Sequence, residues 1–192
     1  MAMIPAKLFL SDLFFSSSLL DAKSSDPEFA TSTSPEQLGL NTQKLTHIRF
    51  FLHERNNAPN QTAVQVAQAA TTSQSPSFFG AVAVIDDLLT EGPDMGSKLI
   101  GRLQGMTASA DQSEIALLMA TNFVFTAGKY NGSTLTMLGR NRLGAPLREL
   151  PIVGGTGHFR FARGYVKTST RMLDRKTGIV LAEYNLYVLH YY

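Results

Sequence analysis

Glu54 closes an alternating run, LTHIRFFLHE (Leu45–Glu54), and shares its parity with Ile48, Phe50 and Leu52. A carboxyl group at the end of an apolar face loses hydration. Desolvation raises its pKa towards neutrality, where it can both give and take a proton. The same residue also fits a solvated strand end beside His53, so both readings stand. Asp86 and Asp87 follow the apolar stretch Phe78–Ile85. Adjacent strand residues point to opposite faces, so at most one of the two faces inwards. The histidines at 47, 53, 158 and 190 lack the i, i+4 spacing of a metal site, and no metal is expected. Gly154-Gly155-Thr156-Gly157 lacks the Gly-Lys-Ser/Thr ending of a phosphate loop and leads into a strand. The chain has no cysteine, which excludes disulfides, thiol catalysis and thiolate metal sites. No Ser-His-Asp order stands out.

Strands must position these groups. Beyond Leu45–Glu54, β character marks Thr62–Gln68, Phe78–Ile85, Ser97–Ser109 with bend points at Gly101 and Gly105, and Ser113–Phe125, which is apolar on both parities. Asn131-Gly132 is a strong hairpin signal, and Ser133–Leu138 pairs back across it. The GGTG sequence reads as a tight turn feeding a long strand, Phe159–Leu173, in which Gly164 marks a bend. A last hairpin returns as Ile179–Tyr191. A meander of about eight strands removes its edges by closing into a barrel, whose lumen holds about one small ligand. Strands apolar on both faces need a cover outside as well, and another copy of the chain supplies it: a homo-oligomer is expected.

At 192 residues the chain reads as one domain plus a leader. With 44% hydrophobic and 17% charged residues a sizeable core is available. A formal net charge of +2 without any Lys/Arg block argues against a nucleic-acid partner. Met1–Ala22 carries Lys7 and then LFLSDLFFSSSLL, which resembles a secretory signal and is too short to stay in a membrane as a spanning helix. Residues 23–44 read as a linker and 45–192 as the folded domain. The sequons Asn60-Gln61-Thr62 and Asn131-Gly132-Ser133 agree with secretion and mark Asn60 and Asn131 as N-glycosylation sites.

Four blocks, in order, resemble the plant dirigent proteins: IDDLLTEGPDMGSKLIGRLQG (Ile85–Gly105), LLMATNFVFTAGKYNGSTLTMLGRN (Leu117–Asn141), GGTGHFRFARGY (Gly154–Tyr165) and EYNLYVLHY (Glu183–Tyr191). The resemblance implies an eight-stranded antiparallel β-barrel of the allene-oxide-cyclase-like kind, assembled as a trimer, secreted to the apoplast and N-glycosylated. It implies no cofactor. A separate laccase or peroxidase would make phenoxy radicals from phenylpropanoids such as coniferyl alcohol, and the barrel would hold them so that coupling gives one lignan stereoisomer. Relatives with the TEGP-type sequence (here Thr90–Pro93) include pterocarpan synthases, which dehydrate an isoflavanol through a quinone methide.

The resemblance also implies site residues. Glu54 stands where the family usually has an aspartate, and Arg148 aligns with an arginine at the pocket mouth, able to hold a phenolic oxygen or to pair with Glu54. Asn141 occupies the place of a second acid in lignan-forming members. Its amide orients a substrate but delivers no proton. Thr107 replaces a pocket tyrosine, and Thr170 aligns with a pocket threonine or faces solvent. Asp86 is taken as the substrate-facing member of its pair, the other reading being a turn cap. Three functions follow: steering of radical coupling without oxidative activity of its own, a lyase acting through Glu54 and Arg148, or a barrel that only binds a phenolic or terpenoid.

Overall fold

The computed structural model describes residues 29–57 and 59–191; the expected signal segment Met1–Ala22 and the start of the expected linker lie outside them. The described chain is all-β. Its strands are β1 (Gln43–Arg55), β2 (Ala63–Ala67), β3 (Val82–Thr90), β4 (Leu99–Ser109), β5 (Ala116–Phe125), β6 (Thr134–Arg142), β7 (Arg148–Thr156), β8 (Arg163–Asp174) and β9 (Ile179–Tyr191). Every neighbouring pair is antiparallel. The order β1-β9-β8-β7-β6-β5-β4-β3 closes on itself because β1 also pairs with β3, at Phe51↔Thr90, Leu52↔Leu89 and His53↔Leu88. The result is the expected eight-stranded barrel. β2 is an extra stave outside the ring, and it takes the half of β3 that β1 leaves free (Ala63↔Ile85, Val64↔Val84).

Two local expectations are corrected. Asp86 and Asp87 do not cap a turn; β3 runs on through them to Thr90. The GGTG sequence is not the turn either. Gly154, Gly155 and Thr156 finish β7, and the chain reverses over a 3-10 turn at Gly157–Phe159. Gly155 is there for close approach: a Cβ would lie 2.5 Å from the Thr134 carbonyl oxygen and 2.7 Å from Phe159 Cβ. Gly101, Gly105 and Gly164 behave as the sequence indicates. Each has inward parity, and a Cβ would lie 2.2, 2.3 and 2.0 Å from a backbone oxygen of the adjacent strand, so each lets the wall bend sharply.

The core fills one end of the ring. Phe50 meets Phe123 edge-on, with centroids 5.5 Å apart, and stacks on Tyr184 at 5.8 Å. Beyond them Phe125, Tyr130, Phe159 and His190 pack with centroid distances of 4.7–6.5 Å and plug that end. Burying a phenylalanine of this kind stabilises the fold by roughly 3–5 kcal/mol against its alanine variant. Outside, β1, β8 and β9 carry polar side chains, with Glu183 held by Arg49 (2.6 Å) and Arg171 (2.5 Å). The opposite outer face is apolar. Val64, Val84, Met106, Ala120 and Leu138 form one cross-strand row over five strands, with Val84, Met106 and Leu138 44–49% exposed.

Candidate functional site

The end of the barrel away from the aromatic plug is polar inside. Strand alternation puts one polar inward residue there on each stave of the ring. In spatial order these are Glu54 (β1), Tyr184 (β9), Thr168 (β8), Arg148 (β7), Asn141 (β6), Thr121 (β5), Thr107 (β4) and Asp87 (β3). The registers agree: Tyr184 pairs Thr168, Thr168 pairs Arg148, and one step beyond His53↔Leu88 Glu54 meets Asp87. Four staves separate Glu54 from Asn141 and Asp87 from Arg148, and three separate Glu54 from Arg148 and Asp87 from Asn141. Acids therefore face a cation and an amide across the lumen.

This belt is poorly satisfied from within. Asp87 Oδ2, Thr121 Oγ1, Asn141 Oδ1, Arg148 Nε and Thr168 Oγ1 are buried without a hydrogen-bond partner, and they are the buried side-chain polar atoms so found among the described residues. Native interiors leave few such atoms, because each costs about 1–3 kcal/mol. Five on one inner surface fit a guest that brings oxygen atoms of its own.

The electrostatics follow from burial. Desolvation raises the Glu54 carboxyl, and the hydrogen bond it accepts from Asn56 Nδ2 at 2.8 Å works against that. Asp87 is pushed up to about 8, first by burial and then by the charge of Glu54. Burial pulls the Arg148 guanidinium below its ordinary value, and among the described residues it forms no ion pair. Of the two roles the resemblance implied for it, the pairing with Glu54 is not made. Burial also pushes the Tyr184 phenol up to about 12, against the pull of Arg148.

The structure gathers Glu54, Arg148, Asn141 and Thr107 into this belt but not Asp86. That residue points outwards, where Arg102 and Gln104 donate to its carboxylate. The inward acid is its neighbour Asp87, fully buried, and this corrects the assignment of Asp86 to the substrate. Thr170 has inward parity but is exposed at the rim; the buried hydroxyl of β8 is Thr168. Thr121, Thr168 and Tyr184 went unremarked in the sequence, although each interrupts an apolar parity. Asn60 and Asn131 are exposed, and Asn60 has a left-handed backbone (φ 64°). His53 bonds Thr90 Oγ1 at 2.7 Å and serves the seam between β1 and β3. Among the described residues no three histidines or carboxylates converge as metal ligands. A cleft of about 410 Å³, lined by Arg55, Asn57, Pro59, Lys176, Thr177 and Ile179, contains none of the belt residues and is not where the acids and the cation meet.

A closed antiparallel barrel with an under-satisfied polar belt away from its aromatic plug has the architecture of a class: small barrels that take one guest into the lumen. A model of the family described as Dirigent-like protein matches residues 45–189, and the chain belongs to that family. It is 44% identical over 183 residues to Dirigent protein 21 of Arabidopsis thaliana, covering 95% of this chain and 97% of that one. It is 42% identical over 161 residues to Pterocarpan synthase 1 of Glycyrrhiza echinata, covering 83% and 86%. Among solved structures, the pterocarpan synthase dirigent protein GePTS1 superposes with a TM-score of 0.71 at 42% identity, over 78% of this chain and 86% of that one. PsPTS1 does so with a TM-score of 0.70 at 40% identity, over 78% and 97%.

Proposed function

We propose that the barrel binds a phenolic quinone methide in its lumen and directs the stereochemistry of its ring closure. The placement of the Glu54 carboxyl three and four staves from Arg148 and Asn141, within a belt of unpaired polar atoms, carries this reading. A quinone methide is an electrophilic carbon conjugated to a distant carbonyl oxygen. Arg148 donates to that oxygen, and the buried cation stabilises the phenolate that forms as closure proceeds. Glu54, at the other wall, takes the proton of the hydroxyl that attacks the carbon. The apolar lumen below excludes water, which would otherwise add first.

In the leading version the quinone methide arises from coupled phenoxy radicals, for instance of coniferyl alcohol, made by a separate laccase or peroxidase. The kinship to dirigent proteins supports it. The second version, dehydration of an isoflavanol, is favoured by the pterocarpan synthase relatives at 40–42% identity. Incubation with coniferyl alcohol and a laccase is expected to give an enantiomeric excess that laccase alone does not. Consumption of racemic isoflavanol without oxidant would select the second version. Racemic coupling together with untouched isoflavanol would leave only a binding barrel, and the proposal would fail.

The same proposal places the protein in the apoplast as a trimer, glycosylated at Asn60 and Asn131, with the apolar row over β2 to β6 as the covered face. Secreted protein is expected to sediment as three chains and to lose mass on enzymatic deglycosylation. A monomer, or a mass that does not fall, would refute the corresponding part.

A further inference from the structure

We propose that Asp87 is the proton donor of this site and that Thr62, the last residue of the first sequon, is its positioning residue. The proposal rests on the reading that a quinone methide forms or closes in the lumen. Asp87 sits in the middle of β3, fully buried. One carboxyl oxygen, Oδ1, accepts from Thr62 Oγ1 at 2.5 Å, and the other, Oδ2, has no partner among the described residues. The carboxyl is thus fixed by one oxygen and presents the other to the guest.

Thr62 is built into place by every polar group it has. Its amide donates to the Arg55 carbonyl at 2.9 Å, and its hydroxyl accepts from the Arg55 amide at 2.9 Å. Its carbonyl accepts from the Asp86 amide at 2.8 Å. The end of β1, the connection to β2 and the middle of β3 are stapled through this one residue, and its hydroxyl hydrogen goes to Asp87.

The groups facing Asp87 keep it protonated at neutral pH. Glu54 on β1 bears on it from the adjacent stave, and Tyr184 on β9 is itself affected by its charge. Asp86 on the same strand adds to the effect from outside. Arg102 on β4 opposes it but is engaged by Asp86. Of the two lumen acids, Asp87 is the more deeply buried and is therefore the one to hold the proton.

The chemistry balances without a co-reactant. A guest with a benzylic hydroxyl conjugated to a phenol binds as the phenolate at Arg148, its phenolic proton going to solvent. The carbon–oxygen bond of the benzylic hydroxyl breaks, the hydroxyl takes the Asp87 proton and leaves as water, and the quinone methide forms. A second hydroxyl of the guest then adds to the carbon, and its proton goes to Glu54. Glu54 passes it to the neighbouring Asp87 carboxylate, and the phenolate regains a proton from solvent on release. Only water is lost.

The test uses the full secreted protein, racemic isoflavanol turnover across pH, and carboxyl-carbon NMR of protein carrying labelled aspartate. One aspartate carboxyl is expected to stay protonated at pH 7, and its resonance is expected to vanish in Asp87→Asn. Asp87→Asn is expected to slow turnover by about 100-fold. A folded-state pKa raised from 3.8 to about 8 makes stability fall as pH rises through that window. Asp87→Asn is therefore expected to melt higher than the parent at pH 8 and not at pH 4, which excludes misfolding as the cause of the loss. Thr62→Ala loses a bond that favours the ionised acid, so its activity is expected to drop about tenfold, with the alkaline limb moved to higher pH. Thr62→Ser should restore both. Asn60→Asp destroys the same sequon, keeps a residue that tolerates the left-handed backbone, and should change neither. Full activity in Asp87→Asn, or no aspartate protonated above pH 6, would overturn the proposal. If the parent turns over no isoflavanol, the dehydration version fails, and the NMR titration alone decides whether Asp87 holds the proton.

Discussion

Arg148→Met is expected to lower the rate of product formation by about 100- to 1,000-fold, the size of effect seen when one donor to a developing anion is removed. It is also expected to make the barrel more stable. The guanidinium is buried, and among the described residues Nε has no partner and no carboxylate forms an ion pair with it. Methionine matches the stem as far as Nε and removes the charged head with its desolvation penalty, so the gain is roughly 1–3 kcal/mol, a rise of several degrees in Tm. The two changes have opposite signs, which a purely structural arginine would not show. Arg148→Lys keeps the charge without the planar fork and should fall between. Unchanged turnover, or a lower Tm in Arg148→Met, would remove Arg148 from the site.

The largest loss of stability is expected from Gly105→Ala. Gly105 lies on the inner wall of β4 at φ 150°, and a Cβ there would sit 2.3 Å from the Ala120 carbonyl oxygen and 2.7 Å from Thr121 Cα. Both are backbone atoms of β5, fixed by the register Gly105↔Thr121, so neither can give way without parting the two strands. Strain and clash together should cost about 3 kcal/mol or more, a large fraction of the roughly 5–15 kcal/mol that holds a domain together. Gly144→Ala, where no atom of the described residues lies within 4 Å, is the control and should be neutral. Equal melting temperatures for the two variants would refute the account of the bent wall.

Period-two alternation made the barrel legible because most strands here are half or wholly apolar along one parity, and Ile48, Phe50, Leu52 and Glu54 gave the inward face of β1 directly. The acid pair misled for a physical reason. Two consecutive aspartates end a strand unless something satisfies each, and here Arg102 satisfies one from the next strand while Thr62 holds the other. Thr62 lies 25 residues away in sequence and reads as the tail of a sequon, so its bond to Asp87 leaves no local trace. The GGTG stretch misled similarly: glycine marks tight turns and close approaches alike, and only the position of Phe159 against Gly155 decides between them. The closure of β1 onto β3 rests on three residue pairs and carries no periodic signal at all. Thr121 and Thr168 could have been found, since a hydroxyl recurring among inward apolar residues on several strands is itself a pattern.

Phe125, Tyr130, Phe159 and His190 cork one end of the barrel. A guest of the kind proposed above would then have to pass the acids and the arginine before reaching the aromatic floor, so its greasy end would lead and its oxygen-bearing end would be the part those side chains hold.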